Sequence, residues 1–379
     1  MQTFLLGEKI YFIRAFKEVK FKCFNKIIIF HLNWRKEKMK KKLLSALLCA
    51  AMVASLVIGC GSKEEPAAEA PAATEEEAEA PVEEETEAPV EEAAEDEENY
   101  ETGDASLDNI RNQDEIGENE LLVVSFGTSY NDSRRLTVGA IEEAIEKAFP
   151  EYSVRRGFTS QIIIDHVMSR DGFKIDNVTE ALDRAVANGV KNIVIQPTHL
   201  MDGLEYNDLV NEVAGYADSF EKIAIGEPLL TTDEDFQVVM NAIVEATAEY
   251  DDGETAICFM GHGTEAESNA VYGKMQDLLK EAGYENYYVG TVEGAPTLDD
   301  VVAAVEAGEY TKVVLRPLMI VAGDHANNDM AGVEEDTWKT AFESAGYEVT
   351  CVIEGLGQLE AIQNLIVEHT QAAVDSLAE

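Results

Sequence analysis

The chain has 379 residues and a formal net charge of −45, from 74 Asp or Glu against 29 Lys or Arg. That acidity excludes nucleic-acid binding by counterion release, and it leaves any anionic ligand dependent on local basic side chains. Five cysteines in a chain of this length exclude a disulfide-stapled scaffold, even outside the membrane.

Residues 1–38 show neither helical nor strand period and read as a mis-assigned upstream start, with Met39 the working one. Lys40, Lys41 and Lys42 then form a positive n-region, Leu43 to Ile58 an apolar run, and Val57-Ile-Gly-Cys60 resembles a lipoprotein cleavage box. The run is shorter than the ~20 residues a bilayer-spanning helix requires. Residues 39–59 therefore read as a lipoprotein signal peptide and Cys60 as the lipid-carrying residue, which places the protein outside the cytoplasm, anchored to the membrane. Residues 1–59 hold 12 Lys or Arg and 3 Asp or Glu, so the remainder is more acidic still. Residues 60–117 read as a linker: Glu blocks alternate with Ala-Pro and Pro-Val pairs, a composition expected to stay extended and disordered.

From Glu120 onward, apolar strand-like runs alternate with amphipathic helical stretches. The runs at 120–126, 152–157, 191–196 and 222–226 make one set, and those at 255–260, 286–292, 311–316 and 348–353 a second. Asp233 to Tyr250 reads as a helix that Asp251-Asp-Gly253 stops. An internal repeat relates the sets: Ile193-Val-Ile-Gln-Pro197 with Gly203 matches Val313-Val-Leu-Arg-Pro317 with Gly323, and Val124-Ser-Phe-Gly-Thr128 parallels Phe259-Met-Gly-His-Gly-Thr264. The expected fold is α/β, in two similar halves over 118–250 and 251–379. Each is a four-stranded parallel sheet flanked by helices, with a ligand cleft between the halves. Cys258 and Cys351 fall within predicted strands and are expected as buried thiols.

Three segments sit at predicted strand ends: Met260-Gly-His-Gly-Thr264, Thr291-Val-Glu-Gly294 and Gly323-Asp-His-Ala-Asn-Asn-Asp329. The carboxyl edge of a parallel sheet is where open α/β folds place their sites. His262, Glu293 and His325 would there offer two imidazoles and one carboxylate, a set suited to Co²⁺, Fe²⁺, Ni²⁺ or Zn²⁺ rather than Mg²⁺ or Ca²⁺. A closed structural zinc site takes four protein ligands, so three leave room for exchange or chemistry.

The stretch from about Leu121 to Ala373 resembles the anaerobic-pathway sirohydrochlorin cobaltochelatases of the class II chelatase superfamily. The resemblance is carried by Ser125-Phe-Gly-Thr-Ser129, Arg156-Gly-Phe-Thr-Ser160, Arg170-Asp-Gly172, Phe259-Met-Gly-His-Gly-Thr264, Gly290-Thr-Val-Glu-Gly294 and Pro317-Leu-Met-Ile-Val-Ala-Gly-Asp-His-Ala-Asn-Asn-Asp-Met330. It implies insertion of Co²⁺ into sirohydrochlorin in cobalamin synthesis, with His262, Glu293 and His325 as metal ligands and His262 also as proton acceptor. It implies no nucleotide, and a homo-oligomer by analogy alone. Sirohydrochlorin or a related tetrapyrrole is polyanionic, so Arg134, Arg135, Arg156 and Arg316 are candidate partners for its carboxylates. Glu205 occupies the first half's counterpart of the His325 position and is a candidate cleft residue, while His199 reads as structural. His166 and His369 fall in predicted helices. A lipid anchor suggests a second reading, an extracytoplasmic metal or tetrapyrrole carrier without catalysis. Intact mass and amino-terminal sequencing check the leader: a precursor that starts at Met39 and a mature chain that starts at lipidated Cys60 are expected, and a precursor that starts at Met1 contradicts this.

Overall fold

Residues 102–114 and 116–378 are described by the computed structural model. The expected upstream start, signal peptide, Cys60 and most of the linker lie outside the described residues. Alternation along the eight apolar runs fixes the layers. In β1 (Asn119–Ser125), Leu121 and Val123 face one core cluster while Leu122 and Val124 face another. In β5 (Thr255–Gly261), Ile257 and Phe259 face one side and Ala256, Cys258 and Met260 the other. Both sheets are thus covered on both faces, as parallel sheets are.

The first sheet also contains β2 (Ser153–Phe158), β3 (Asn192–Pro197) and β4 (Lys222–Ile225), in the order β2-β1-β3-β4. The second adds β6 (Tyr287–Thr291), β7 (Lys312–Pro317) and β8 (Glu348–Cys351), in the order β6-β5-β7-β8. All pairings are parallel, and the identical order repeats the half-domain that the sequence repeat implied. Cys258 is a buried free thiol raised by its burial, and Cys351 a half-buried one.

The short helix α1 (Asn131–Arg134) runs through a π-helical stretch, Arg135–Gly139, into α2 (Ala140–Ala148). Helices α3 (Gln161–Asp171), α4 (Val178–Ala187) and α5 (Leu204–Ala214) complete the first crossovers. After α6 (Asp233–Glu245) come α7 (Ala270–Glu281), α8 (Leu298–Glu306), α9 (Trp338–Ser344) and α10 (Glu360–Ser376). Reciprocal capping boxes, Asn177 with Glu180, Thr232 with Asp235 and Thr297 with Asp300, start α4, α6 and α8 by satisfying amides that lack a helical partner. The helix expected over 233–250 ends at Glu245, and a 3₁₀ turn at Ala248–Tyr250 follows it.

The halves exchange their last helices. α6, from the first half, packs against α7 and brings Phe236, Val239 and Ile243 into one cluster with Phe259, Tyr272 and Tyr287. α10, from the second half, lies against α2 and β3, and His369 on it meets Asp235 on α6 at 3.2 Å. A single apolar cluster therefore spans both sheets and holds the strand-end loops of the two halves against each other.

The linker expected over 60–117 does not extend that far. Residues 102–114 are packed along the edge strand β2, where Arg156 N–H donates to Arg111 O at 3.1 Å. Asp108 binds Arg134 Nε at 2.6 Å and Arg156 Nη1 at 2.7 Å, while Arg111 meets Glu142 at 3.2 Å and Glu146 at 3.0 Å. Composition marked the stretch as solvated, but these ion pairs hold it down, and removing one partner of a buried pair costs about 3–5 kcal/mol.

Glu120 on β1 is fully buried, and its two carboxylate oxygens have no hydrogen-bond partner among the described residues. Burial pushes its pKa up from 4.5 to about 8, against the opposing pull of Arg155. The folded state then holds a proton that the unfolded chain releases, so stability is full below pH 4.5 and falls as pH rises from there through about 8. Melting temperatures measured from pH 5 to 9 are expected to decline less for Glu120→Gln than for the parent chain; parallel curves would contradict this.

Candidate metal centre at the second sheet edge

Parallel strands end together, so the loops after β5, β6 and β7 share one edge of the second sheet. His262 directly follows β5, and Glu293 is the second residue after β6. The pairing of these strands continues beyond their ends: Val292 N–H donates to Gly261 O at 3.0 Å, and Glu293 N–H to His262 O at 2.8 Å. Backbone bonding thus sets Glu293 beside His262. Gly263 permits the approach, with φ at +86° and no side chain where a Cβ would lie 2.5 Å from Gly294 N.

His325 comes from the loop after β7, at the start of the π-helical turn Ala326–Met330. Its ring meets that of His262 edge to face, with centroids 4.7 Å apart and planes at 78°. His262 Nδ1–H donates to Gly263 O at 2.8 Å, and His325 Nδ1–H donates to Asp329 Oδ2 at 2.6 Å. A carbonyl or carboxylate oxygen can only accept, so each neutral ring carries its proton on Nδ1 and keeps the Nε2 lone pair. Hydrogen bonding to Asp329 holds the His325 pKa above the ordinary histidine value, with Asp324 and Glu293 adding to it. The Asp329 partner, which the sequence reading missed, was visible only as an acid four residues beyond a histidine. Asp324, His325 and Asp329 bring one ligand atom each within 4.8 Å of one another, the one such grouping among the described residues, and it includes neither His262 nor Glu293.

The first half closes on this edge. Ala322 N–H donates to Ser133 Oγ at 3.0 Å, and a Cβ on Gly323 would lie 2.8 Å from Thr128 Oγ1. Glu205, at the start of α5, is exposed and near enough for His262 to lower its pKa, although burial has the larger, opposite effect and leaves it raised. His199 is buried 3.7 Å from Glu205, and burial lowers its pKa to about 4, so it is neutral at pH 7. A cavity of 280 Å³ at the carboxyl edge of the first sheet is lined by Phe126, Phe158, Thr159, Asn177, Glu205 and Asp208.

The arginines expected to meet substrate divide sharply. Arg134 and Arg156 are completely buried and engaged by Asp108, with Glu142 also on Arg156, so neither presents a guanidinium to a ligand. Arg316 is buried as well, with Nη1 on Ala246 O at 3.2 Å and Nη2 3.2 Å from Glu354. These three expectations fail because β2, α1 and β7 aim their side chains into the protein interior. Arg135 alone keeps a partly exposed side chain, shared with Asp132 at 3.2 Å.

Residues 119–375 match the profile of the cobalt chelatase (CbiK) family. The chain is 36% identical over 259 residues to a sirohydrochlorin cobaltochelatase of Salmonella typhimurium, covering 68% of this chain and 97% of that protein. It is 29% identical over 276 residues to the sirohydrochlorin cobaltochelatase CbiKC of Nitratidesulfovibrio vulgaris, covering 72% and 97%. Among solved structures, SirB from Bacillus subtilis with Fe³⁺ is similar at 13% identity and a TM-score of 0.49, over 69% of this chain and 98% of that one. By the extent of the family match and the first of these relatives, the chain belongs to the cobalt chelatase (CbiK) family.

Proposed function

We propose that the globular part inserts Co²⁺ into sirohydrochlorin in cobalamin biosynthesis. The observation that carries the reading is the pair of imidazoles, edge to face at 4.7 Å, each with Nδ1 engaged and Nε2 left as the only basic nitrogen. Insertion requires two pyrrole protons to leave the ring and the incoming ion to lose water. His325 and Glu293 are the proposed replacements for that water; His262 Nε2 holds the ion first and, once the ion has passed to the ring, its freed lone pair accepts one pyrrole proton while the other leaves to solvent. The two histidines divide the work by their partners. An anionic carboxylate behind His325 strengthens it as a ligand, whereas only a neutral carbonyl backs His262, so His262 gives up the ion more readily.

Fe²⁺, Ni²⁺ and Zn²⁺ are proposed competitors, because two imidazoles and a carboxylate discriminate weakly among these ions. Arg135 is the one arginine of the four proposed to meet a substrate carboxylate. The lipoprotein-type box at Val57-Ile-Gly-Cys60 supports an extracytoplasmic, lipid-anchored placement and favours a second reading, a metal or tetrapyrrole carrier. Among the described residues, no helix is long and apolar enough to cross a membrane.

The purified chain should form cobalt sirohydrochlorin faster than the spontaneous reaction, and His262→Ala should lose about 10²–10⁴-fold of that acceleration, the usual worth of a positioned base. Tight retention of the tetrapyrrole with no acceleration would establish the carrier instead. Asp329→Asn is expected to weaken Co²⁺ binding by about 10–100-fold, as loss of a partner behind a ligating histidine does. An unchanged Co²⁺ titration in that variant would remove Asp329 from the account.

A further inference from the structure

We propose that residues 102–114, which precede the family-matched region, form a strap that positions the cobalt ligands, with Asp108 as its anchor. The proposal rests on the reading of His262, Glu293 and His325 as the ion's ligands. Its path is short and made of named contacts. Asp108 Oδ2 accepts from Arg134 Nε at 2.6 Å, and the same guanidinium donates through Nη1 to Thr128 O at 3.2 Å and through Nη2 to Asn131 Oδ1 at 2.5 Å. Thr128 Oγ1 fills the space where a Cβ on Gly323 would lie, and Ser133 accepts from Ala322 N–H. Asp324 and His325 come next in the chain.

The strap grips the same turn from its other side. Asp132 N–H donates to Thr102 O at 2.7 Å and Asn131 Nδ2 to Gly103 O at 3.2 Å. Gly103 has φ at +95°, and a Cβ there would fall 2.3 Å from the Asp132 carboxyl carbon, so the strap lies directly against that side chain. Residues 128–134 are therefore held between the strap and the loop that delivers His325. Farther along, Asp114 pairs with Arg184 at 3.0 Å and Asn112 donates to Lys174 O at 2.7 Å, which fixes the strap to α4 and to the loop before it.

Loss of Asp108 unbalances the charges around Arg134. Without it, buried Arg134 has no ion-paired carboxylate among the described residues, and Glu142 serves Arg156 and Arg111 together. A buried guanidinium left unpaired will seek another acceptor and release Thr128 and Asn131. The ligand loop on the far side then loses its backing, and ligand placement to within about 0.5 Å is what preorganised sites require. Asp108 touches neither ion nor tetrapyrrole, so its role is positioning.

The test is a Co²⁺ titration followed by visible absorption on the full chain and on Asp108→Asn, Ser133→Ala and the double variant, at a temperature where circular dichroism reports each as folded. Ser133→Ala removes only the hydrogen bond to Ala322 and keeps the test open if Asp108→Asn does not fold. Each single change is expected to raise the Co²⁺ dissociation constant by about tenfold, within the range of contacts that support ligands. The double variant is expected to be no worse than the weaker-binding single, because both interrupt one path. Unchanged dissociation constants and spectra in the variants, with normal binding by the parent, would overturn the strap and spare the ligand reading. Failure of the parent chain to bind Co²⁺ would overturn both.

Discussion

The adjacency of β5 to both β6 and β7 is the constraint on which the site depends. Because β5 lies between them, the residues that follow these three strands meet at one edge, although 31 and 32 residues separate His262 from Glu293 and Glu293 from His325 in sequence. Hydrogen bonds that prolong the β5 and β6 ladder fix Glu293 relative to His262, and the π-helical turn after β7 returns His325 to the same place. His262 and Glu293 thus stand on the sheet edge itself, whereas His325 stands on a loop held by its π-helical turn and by the first half.

A sheet edge alone gives half a cleft. The exchanged helices α6 and α10 bring the other half to it, since each covers apolar residues of the opposite sheet. At the seam the contacts become small and polar, Ser133 against Ala322 and Thr128 against Gly323, where bulky side chains would hold the rims apart. Behind the seam a dense set of arginines and acids fills the interior next to β2. Such a network is costly to desolvate and confers little net stability, but it tolerates few arrangements. That intolerance is what makes it suitable for holding the neighbouring turn in register.

The periodic part of the structure was legible in the sequence. All eight strands lie within about two residues of their expected bounds, since a strand buried on both faces must be almost wholly apolar and turn residues flank it. Gly-His-Gly and the Asp-His loop stood out for the same reason: polar residues next to buried strands need a function or a partner. The arginines misled because a guanidinium in sequence carries no sign of its partner, and the partner, Asp108, lay in a stretch whose composition resembled the acidic linker before it. The helix exchange was equally hidden, for it depends on which sheet an amphipathic face meets, and amphipathic faces are interchangeable in a pattern of apolar residues. Asp329 was within reach: an acid four residues after a histidine is the spacing of a side-chain pair on a helical turn.

The central claim is that one ion is held by both imidazoles together with Glu293. His325 could instead hold an ion with Asp324 and Asp329, whose oxygens already cluster around it. X-ray absorption at the cobalt edge of the Co²⁺-loaded chain separates these directly, because imidazole rings give a multiple-scattering signature that carboxylates do not. The account predicts two imidazole nitrogens in the cobalt shell, falling to one in His262→Ala. A shell with a single imidazole and otherwise oxygen in the parent chain, unchanged in His262→Ala, would contradict it.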